Sequence, residues 1–586
     1  MDTKDKIRRK LYPYIRAMPA IFQYQIVSKL FIAVWLFLLG RLFQELLKSC
    51  GKVAVTSGDW KFLFTTPQGL LILVIGLVSL FIYVALDLNA KIVLSKEMLL
   101  GEDFSPKECL RIGFKSIGKL INLRGIIVVI YIALIAPILG IGVSISVTEG
   151  LYIPTFIASF IESSVLYSAL AGIAALIFLS VGIANLFILH GIVIDGLSVK
   201  EAGALSGQLM KKNWKDYLLQ NLLCLLTIAA LIAAVGVICL FIPLKLISLL
   251  PAGALSRLLT IFFVIAGVLV SVLTDLLGSP FYLMKMSQLF FSYKQGSSFD
   301  FILKEPVESR RGRRSAISLL VVILAAVAVL FVQFDHIFPS DTNVGIIAHR
   351  AGGVEGSENT VSGLKAAIDA GAFGSEIDIQ RTKDGHYVLN HDGTFKRVAG
   401  VKKRPEEMTL AEIRKLDIDG DPVPTFEEML ETSRGRIVLF TELKGKTADK
   451  KMADDAVRII KKNNMEDECV LISLKYDLID YIETNYPEIQ TGFLLFASFG
   501  STSRLNCDYI GLEEESVTNF VIASIHEEGK QVMVWTANEA DSQKFFLCTH
   551  VDGLITDNVS QAVRISEELE DRTDLDRMVD KIKTVF

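Results

Sequence analysis

The first 340 positions carry a series of apolar runs, each long enough to cross a bilayer, and this limits what they can fold into. In lipid such a run satisfies its own backbone only as a helix, so a helical membrane domain is predicted. The runs extend from about Ile26 to Leu47, Leu70 to Leu88, Ile126 to Val147, Val165 to Val193, Leu218 to Leu250 and Leu258 to Leu283, with a seventh at Ala316 to Phe334. The first is too long for a signal-peptide core and lacks a small-residue cleavage site, so it is read as an uncleaved span. The whole chain is 51% hydrophobic with a net charge of -4, a balance that argues against nucleic acid as a partner.

Basic residues assign the membrane faces. Lys4, Lys6, Arg8, Arg9, Lys10 and Arg16 mark the N-terminus; Lys91, Lys96, Lys107, Arg111, Lys115 and Lys119 mark the second connection; Lys200, Lys211, Lys212 and Lys215 mark the fourth. The sixth holds Lys294, Lys304 and the cluster Arg310, Arg311, Arg313 and Arg314, whereas the third, near Glu149 and Glu162, has no Lys or Arg. The first is mixed, with Lys48, Lys52 and Lys61. This pattern puts the N-terminus in the cytoplasm and, with seven spans, everything after Phe334 outside; an error of one in the count would reverse the second statement.

Two cytoplasmic connections resemble each other, FSPKECLRIGFKSIGKL from Phe104 and LSVKEAGALSGQLMKKNWKDYL from Leu197. Each opens on Ser-x-Lys-Glu, a helix N-cap with an acid in the first turn. They read as interfacial amphipathic helices, or as a duplicated unit that handles a lipid or substrate. Arg41, His190 and Asp275 lie near span ends and are read as interfacial. The seven cysteines form no CxxC pair and no zinc spacing, so they are read as isolated thiols.

After a linker at Asp335–Asn343 the pattern changes. Strand-like runs appear at Val344–Ala348, Glu376–Ile379, Tyr387–Asn390, Ile437–Leu443, Cys469–Ser473, Thr491–Leu495, Tyr509–Leu512, Val532–Thr536 and Gly553–Thr556. Helical stretches such as Ser362–Ala370, Ala448–Asn463, Leu478–Asn485 and Asn519–Glu528 separate several of them. Repeated β-α units predict a TIM-type (β/α)8 barrel with its chemistry at the C-terminal strand ends. Two domains are therefore expected, an all-α polytopic membrane domain over 1–338 with about seven helices and the α/β barrel over 339–586.

The polar residues then occupy informative places. His349 and Arg350 end the first strand; Glu376 and Asp378, two apart, share a face of the second; His391 and Asp392 end the next. Glu442 and Lys444 share a face at the following strand end, and Trp535 ends a late one. Three carboxylates, Glu376, Asp378 and Glu442, make an oxygen-rich site for Mg²⁺ or Ca²⁺ rather than zinc. Two flanking histidines can act as general acid and base, and Arg350 and Lys444 can hold a phosphate. These parts fit metal-assisted phosphoryl transfer. Lys444 can instead pair with one of the acids, and Asp557-Asn558 reads as a helix cap after the last strand.

At HRAGG (His349), ENT (Glu358), EIDIQRTKDG (Glu376), HD (His391), LAEIRKLD (Leu410), VPTFEEML (Val423), TELK (Thr441), VWTAN (Val534) and VDGLITDN (Val551), the sequence resembles the glycerophosphodiester phosphodiesterase family. The N-terminal half resembles the multi-span domain of some bacterial members. The resemblance implies that Glu376, Asp378 and Glu442 bind one divalent ion and that His349 and His391 are the acid/base pair. It implies that a free glycerol hydroxyl attacks phosphorus, giving a cyclic phosphate that water opens. Arg350 and Lys444 would contact phosphate, Glu358 and Asn359 would support the pocket, and Trp535 would line the glycerol side. Two departures are mild: Ala351 stands where many members have glycine, and Thr441 where an apolar residue is common.

The expected activity is hydrolysis of glycerophosphodiesters to glycerol phosphate and an alcohol at the extracytoplasmic membrane face. Lysophospholipids and polyglycerol-phosphate polymers are further candidate substrates. The rivals are a phospholipase C or D that stops at the cyclic product, and a membrane sensor or transporter whose barrel only binds such diesters.

Overall fold

The computed structural model describes residues 3–583 apart from 53, 57–59, 102–105, 133–160, 162–163, 252, 298, 300–323, 339–342 and 497. Two compact units emerge: Met1–Gly40 with Leu71–Phe331, and Arg41–Leu70 with Val332–Phe586.

Five described helices, wholly or mainly in the first unit, are long and apolar enough to cross a membrane: Met18–Lys48, Pro67–Leu99, Val165–Ile194, Val199–Ile247 and Ala254–Gln295. They coincide with five of the predicted spans. The predicted span Ile126–Val147 lies mostly outside the described residues and Ala316–Phe334 partly so, as do Glu149 and the Arg310–Arg314 cluster. Leu30, Phe37, Leu176 and Leu231 are among many large apolar side chains left exposed along these helices, as a lipid-facing surface requires. The expected N-cap at Ser198 is present as a capping box, its hydroxyl accepting from Glu201 N while the Glu201 carboxylate accepts from Ser198 N.

The end of the second predicted span holds a buried ion pair. Asp87 and Lys91, one turn apart on helix Pro67–Leu99, form a buried pair at 2.7 Å, each 3% exposed. Asp87 also accepts from Tyr24 and Ser28 of the first helix. His190 is buried within the protein, 3.1 Å from Ser287 Oγ; the Asp275 side chain is outside the described residues. Removing one partner of a buried pair strands the other. Lys91→Met is thus expected to destabilise the chain by about 3–5 kcal/mol, read as a lowered melting midpoint of the purified full-length protein.

Among the described residues the second unit contains thirteen short strands: β1 Ala54–Thr56, β2 Gly345–Ala348, β3 Gly374–Arg381, β4 Tyr387–Leu389, β5 Asp417–Ile418, β6 Asp421–Pro422, β7 Val438–Leu443, β8 Cys469–Ser473, β9 Thr491–Leu495, β10 Ser498–Gly500, β11 Tyr509–Glu513, β12 Gln531–Trp535 and β13 Gly553–Thr556. Eight of them run parallel in the order β2-β13-β12-β11-β9-β8-β7-β3, and β3 pairs back to β2, closing the predicted barrel. Ile347, Phe440, Val470, Ile472, Leu494, Met533 and Ile555 fill its interior. A larger apolar layer, with Leu364, Met429, Ile460 and Ile479, seals strands against the helices outside.

One strand departs from the expectation. β4 is not a barrel stave but pairs antiparallel with the C-terminal end of β3, Ile379 opposite Leu389 and Arg381 opposite Tyr387. The turn Asp384-Gly385 lets the chain fold back, with Gly385 at φ 87°. His391 is therefore carried back toward the β3 carboxylates by a returning hairpin. The motifs LAEIRKLD and VPTFEEML prove to be capped helix starts: Thr409 with Glu412 and Thr425 with Glu428 form capping boxes.

Candidate active site

Strand register assembles the site. Glu376 and Asp378 are two residues apart on β3, and Asp378 stands opposite Glu442 on β7. All three are nearly sealed from solvent, at 4%, 0% and 5% exposure. One carboxylate oxygen from each lies within 4.8 Å of the others.

Three buried acids so close repel one another. Burial and the neighbouring Asp378 charge push Glu376 well above the usual carboxylate range, and burial likewise raises Glu442. Burial would raise Asp378 too, but Lys444, His391 and the Asn359 amide hold it below its ordinary value. Lys444 Nζ sits 2.9 Å from Asp378 Oδ1 and 2.8 Å from Glu442 Oε2. The expected phosphate contact is thus seated on the acids, the alternative its position also allowed. Asp378 Oδ1 has no well-aligned hydrogen bond. A hard oxygen donor set, buried and short of positive charge, fits a divalent ion of the Mg²⁺ or Ca²⁺ kind.

Asn359 (φ 53°) braces the trio, its amide donating to Asp378 Oδ2 at 2.8 Å while its oxygen accepts from Asp378 N. Arg350 N donates to Glu376 Oε2 at 2.8 Å. Arg350 and Ala351 both have positive φ, 50° and 74°. Ala351 bears a methyl where the backbone favours glycine, which gives the departure at this position its physical meaning.

Each histidine has its own aspartate. β13 pairs with β2 so that Thr556 faces Ala348, and the next residues meet: His349 Nδ1 lies 2.8 Å from Asp557 Oδ1. Asn538 fixes that aspartate, donating to Oδ2 at 2.6 Å and accepting from Asp557 N at 2.8 Å. The expectation that Asp557 serves as a helix cap is corrected: its carboxylate holds His349, the N-cap residue Asn558 makes no capping bond from its own side chain, and Glu355 Oε1 instead accepts from Ser560 N at 2.9 Å. His391 Nδ1 lies 2.9 Å from Asp392 Oδ1, and its Nε2 faces Arg350 Nη2 at 3.0 Å. Since a guanidinium only donates, Nε2 is the accepting nitrogen and Nδ1 carries the proton. Burial lowers the His391 pKa from its ordinary value, so the ring is neutral near pH 7.

Glu358 lies between two arginines. Its carboxylate accepts two bonds from Arg397, at 2.7 and 2.6 Å, and one from Arg350 at 3.4 Å. Arg397 also binds Asp392, so a chain of ion pairs runs from Glu358 to the His391 loop. Trp535, at the end of β12, meets the Phe496 ring edge-on at 5.1 Å. Asp557, Asn538, Asp392, Arg397 and the buried Gln380, which donates to the carbonyls of Asn390 and Asp392, are supports that spacing alone did not single out. Asn538→Ala frees Asp557 and is expected to lower kcat on the order of tenfold with KM little changed, measured with any hydrolysed diester.

An acid trio flanked by two aspartate-held histidines and an arginine, at the catalytic end of a (β/α)8 barrel, defines a phosphoric diester hydrolase. The glycerophosphoryl diester phosphodiesterase family profile matches residues 349–561, and the profile for the membrane domain of glycerophosphoryl diester phosphodiesterase matches residues 14–332. The chain belongs to this family and is a multi-pass membrane protein with a glycerophosphodiester phosphodiesterase barrel.

Among its relatives is the glycerophosphodiester phosphodiesterase of Caldanaerobacter subterraneus, 26% identical over 234 residues, or 38% of this chain and 96% of the relative. Human glycerophosphodiester phosphodiesterase 1 is 33% identical over 134 residues, 21% of this chain and 39% of its own. Similar solved structures include an Oleispira antarctica phosphodiesterase in complex with the product sn-glycerol-3-phosphate, 22% identical with a TM-score of 0.36, over 38% of this chain and 96% of that one. The Thermotoga maritima glycerophosphodiester phosphodiesterase is 25% identical with a TM-score of 0.33, over 38% of this chain and 98% of its own.

Proposed function

We propose that the barrel hydrolyses glycerophosphodiesters to glycerol phosphate and an alcohol on the extracytoplasmic face, by histidine acid/base catalysis that depends on one divalent ion. The observation that carries this reading is the buried trio Glu376, Asp378 and Glu442 beside two histidines, each set by its own aspartate. Held by those three carboxylates, Mg²⁺ or Ca²⁺ would offset their charge and polarise a phosphoryl oxygen.

The chain's own groups divide the remaining work. His391 Nε2, neutral and accepting, takes the proton of the glycerol hydroxyl that attacks phosphorus. Arg350, whose Nε is buried without a partner, turns its guanidinium to the phosphoryl oxygens. His349, its ring fixed by Asp557 at Nδ1, protonates the departing alcohol oxygen as the old P–O bond breaks. The cyclic phosphate is then opened by water with the two histidines in reversed roles, which restores both. Glu358 and Asn359 hold Arg350 and Asp378 in place, Lys444 balances the acids until the ion and substrate arrive, and Trp535 lines the glycerol side.

The test is hydrolysis by the purified full-length chain of soluble headgroup diesters, lysophospholipids and polyglycerol-phosphate polymer, with phosphorus NMR of the products. Activity lost in chelator and restored by Mg²⁺ or Ca²⁺ is expected, with glycerol phosphate as the end product. Equal activity in chelator would sink the reading. Persistent cyclic phosphate would favour the cyclising phospholipase, and uptake into vesicles without hydrolysis the transporter.

A further inference from the structure

Residues Arg41–Leu70, the end of the first membrane helix, the connection after it and the first residues of the second, cluster with the barrel and not with the helix bundle. β1 in this connection pairs antiparallel with β10, Ala54 opposite Gly500, Val55 opposite Phe499 and Thr56 opposite Ser498. Ala54 and Val55 are both 4% exposed, and Ala54 shares its apolar cluster with Leu495 and Leu505 of the barrel. Gln44 adds a hydrogen bond to Ser501 Oγ at 3.3 Å.

The partner strand sits at a telling place. β10 belongs to the segment between β9 and β11, at the catalytic end of the barrel, and starts two residues after Phe496, the ring that abuts Trp535. The tether is short. Helix Trp60–Thr65 lies just beyond β1, and the next membrane helix begins at Pro67.

We propose that this first connection is a working part of the catalytic barrel: β1 holds the β9–β11 segment, and with it the Trp535 wall of the mouth. The pairing also fixes topology. Connection and barrel lie on one face, so an even number of crossings separates Leu70 from Val332. This holds independently of the charge rule used above. Four described helices follow the connection, and the apolar stretches Ile126–Val147 and Ala316–Phe334 would bring that to an even six.

The experiment uses the full-length chain in its membrane, in a Cys50→Ser background, with Val55→Cys paired either with Phe499→Cys or with Phe373→Cys. Phe373 is 53% exposed and precedes β3, at the opposite end of the barrel. Facing residues of an antiparallel pair lie within disulfide range. Oxidation is expected to close the first pair, read as faster migration on a non-reducing gel that reductant reverses, and to leave the second open. An open first pair, or equal closure of both, would overturn the proposal.

Face is read separately, with Glu45→Cys or Phe520→Cys in intact cells and a membrane-impermeant maleimide. Both sites should label, or neither; one alone overturns the shared face. The positioning role rests on the hydrolase reading. Val55→Pro should raise KM for a soluble glycerophosphodiester about fivefold with kcat nearly unchanged, and an unmoved KM in a chain that still melts cooperatively overturns that role. A wild-type chain that hydrolyses nothing would instead sink the hydrolase reading and leave the cross-linking result standing.

Discussion

His391→Ala is expected to lower kcat/KM for a glycerophosphodiester by roughly 10²–10⁴-fold, the usual contribution of a positioned general base. His349→Ala should cost about as much on a natural substrate, yet the two losses should differ in kind. An alcohol that leaves readily, such as p-nitrophenol, needs no proton on departure. The His349→Ala enzyme should recover most of its rate on the p-nitrophenyl diester of glycerol phosphate, and the His391→Ala enzyme should not. Equal recovery, or none in either, would contradict the division of roles drawn from Asp557 and Arg350. Because burial lowers the His391 pKa, the acid limb of the wild-type pH–rate profile should fall below the ordinary histidine range.

Glu376→Gln carries the second large effect, and activity is only one of its readouts. If the ion supplies on the order of 4 kcal/mol of transition-state stabilisation, kcat/KM should fall at least ~10³-fold. Stability should move the other way in metal-free protein. Glu376 and Glu442 have folded pKa values above the ordinary carboxylate value. The stability they contribute is therefore full below the unfolded pKa and is lost as pH rises through the folded ones. Metal-free wild type should lose melting midpoint from pH 5 to 8, and Glu376→Gln should lose less of it. Wild type should gain about 2.7 kcal/mol at a hundredfold excess of Mg²⁺ or Ca²⁺ over its dissociation constant, a gain the variant lacks. A metal-induced shift that survives in Glu376→Gln would remove this residue from the ligand set.

Much of the barrel was legible in the sequence because its strands are short apolar runs between turn residues, and nearly every run became a strand within a residue or two. Tyr387–Asn390 was misplaced for a physical reason: an apolar run does not reveal whether it pairs parallel or antiparallel, and β4 runs back along β3. The acids and histidines were legible as residue types at strand ends. Their supports were not, because Asp557 reaches His349 only through the closure of β13 on β2, a contact between residues 208 positions apart. The Asp87–Lys91 pair was missed because the apolar run ends at Leu88, which put Lys91 in a connection, whereas the helix continues to Leu99 and brings the two charges one turn apart. The pairing of β1 with β10 had no signal, since three residues of strand in a loop carry none.

The face-to-face register of Asp378 and Glu442 across β3 and β7 makes catalysis a reporter of folding. Strand side chains alternate, so sliding β7 by one residue would turn Glu442 away from the barrel mouth and replace it with a neighbour that has no charge. The acid trio thus exists only with β3 and β7 in register, and the His349–Asp557 pair only with β13 closed on β2. For a protein that must be pulled from a membrane with detergent, turnover per molecule therefore measures what fraction of barrels survived extraction intact, something helix content alone would not distinguish.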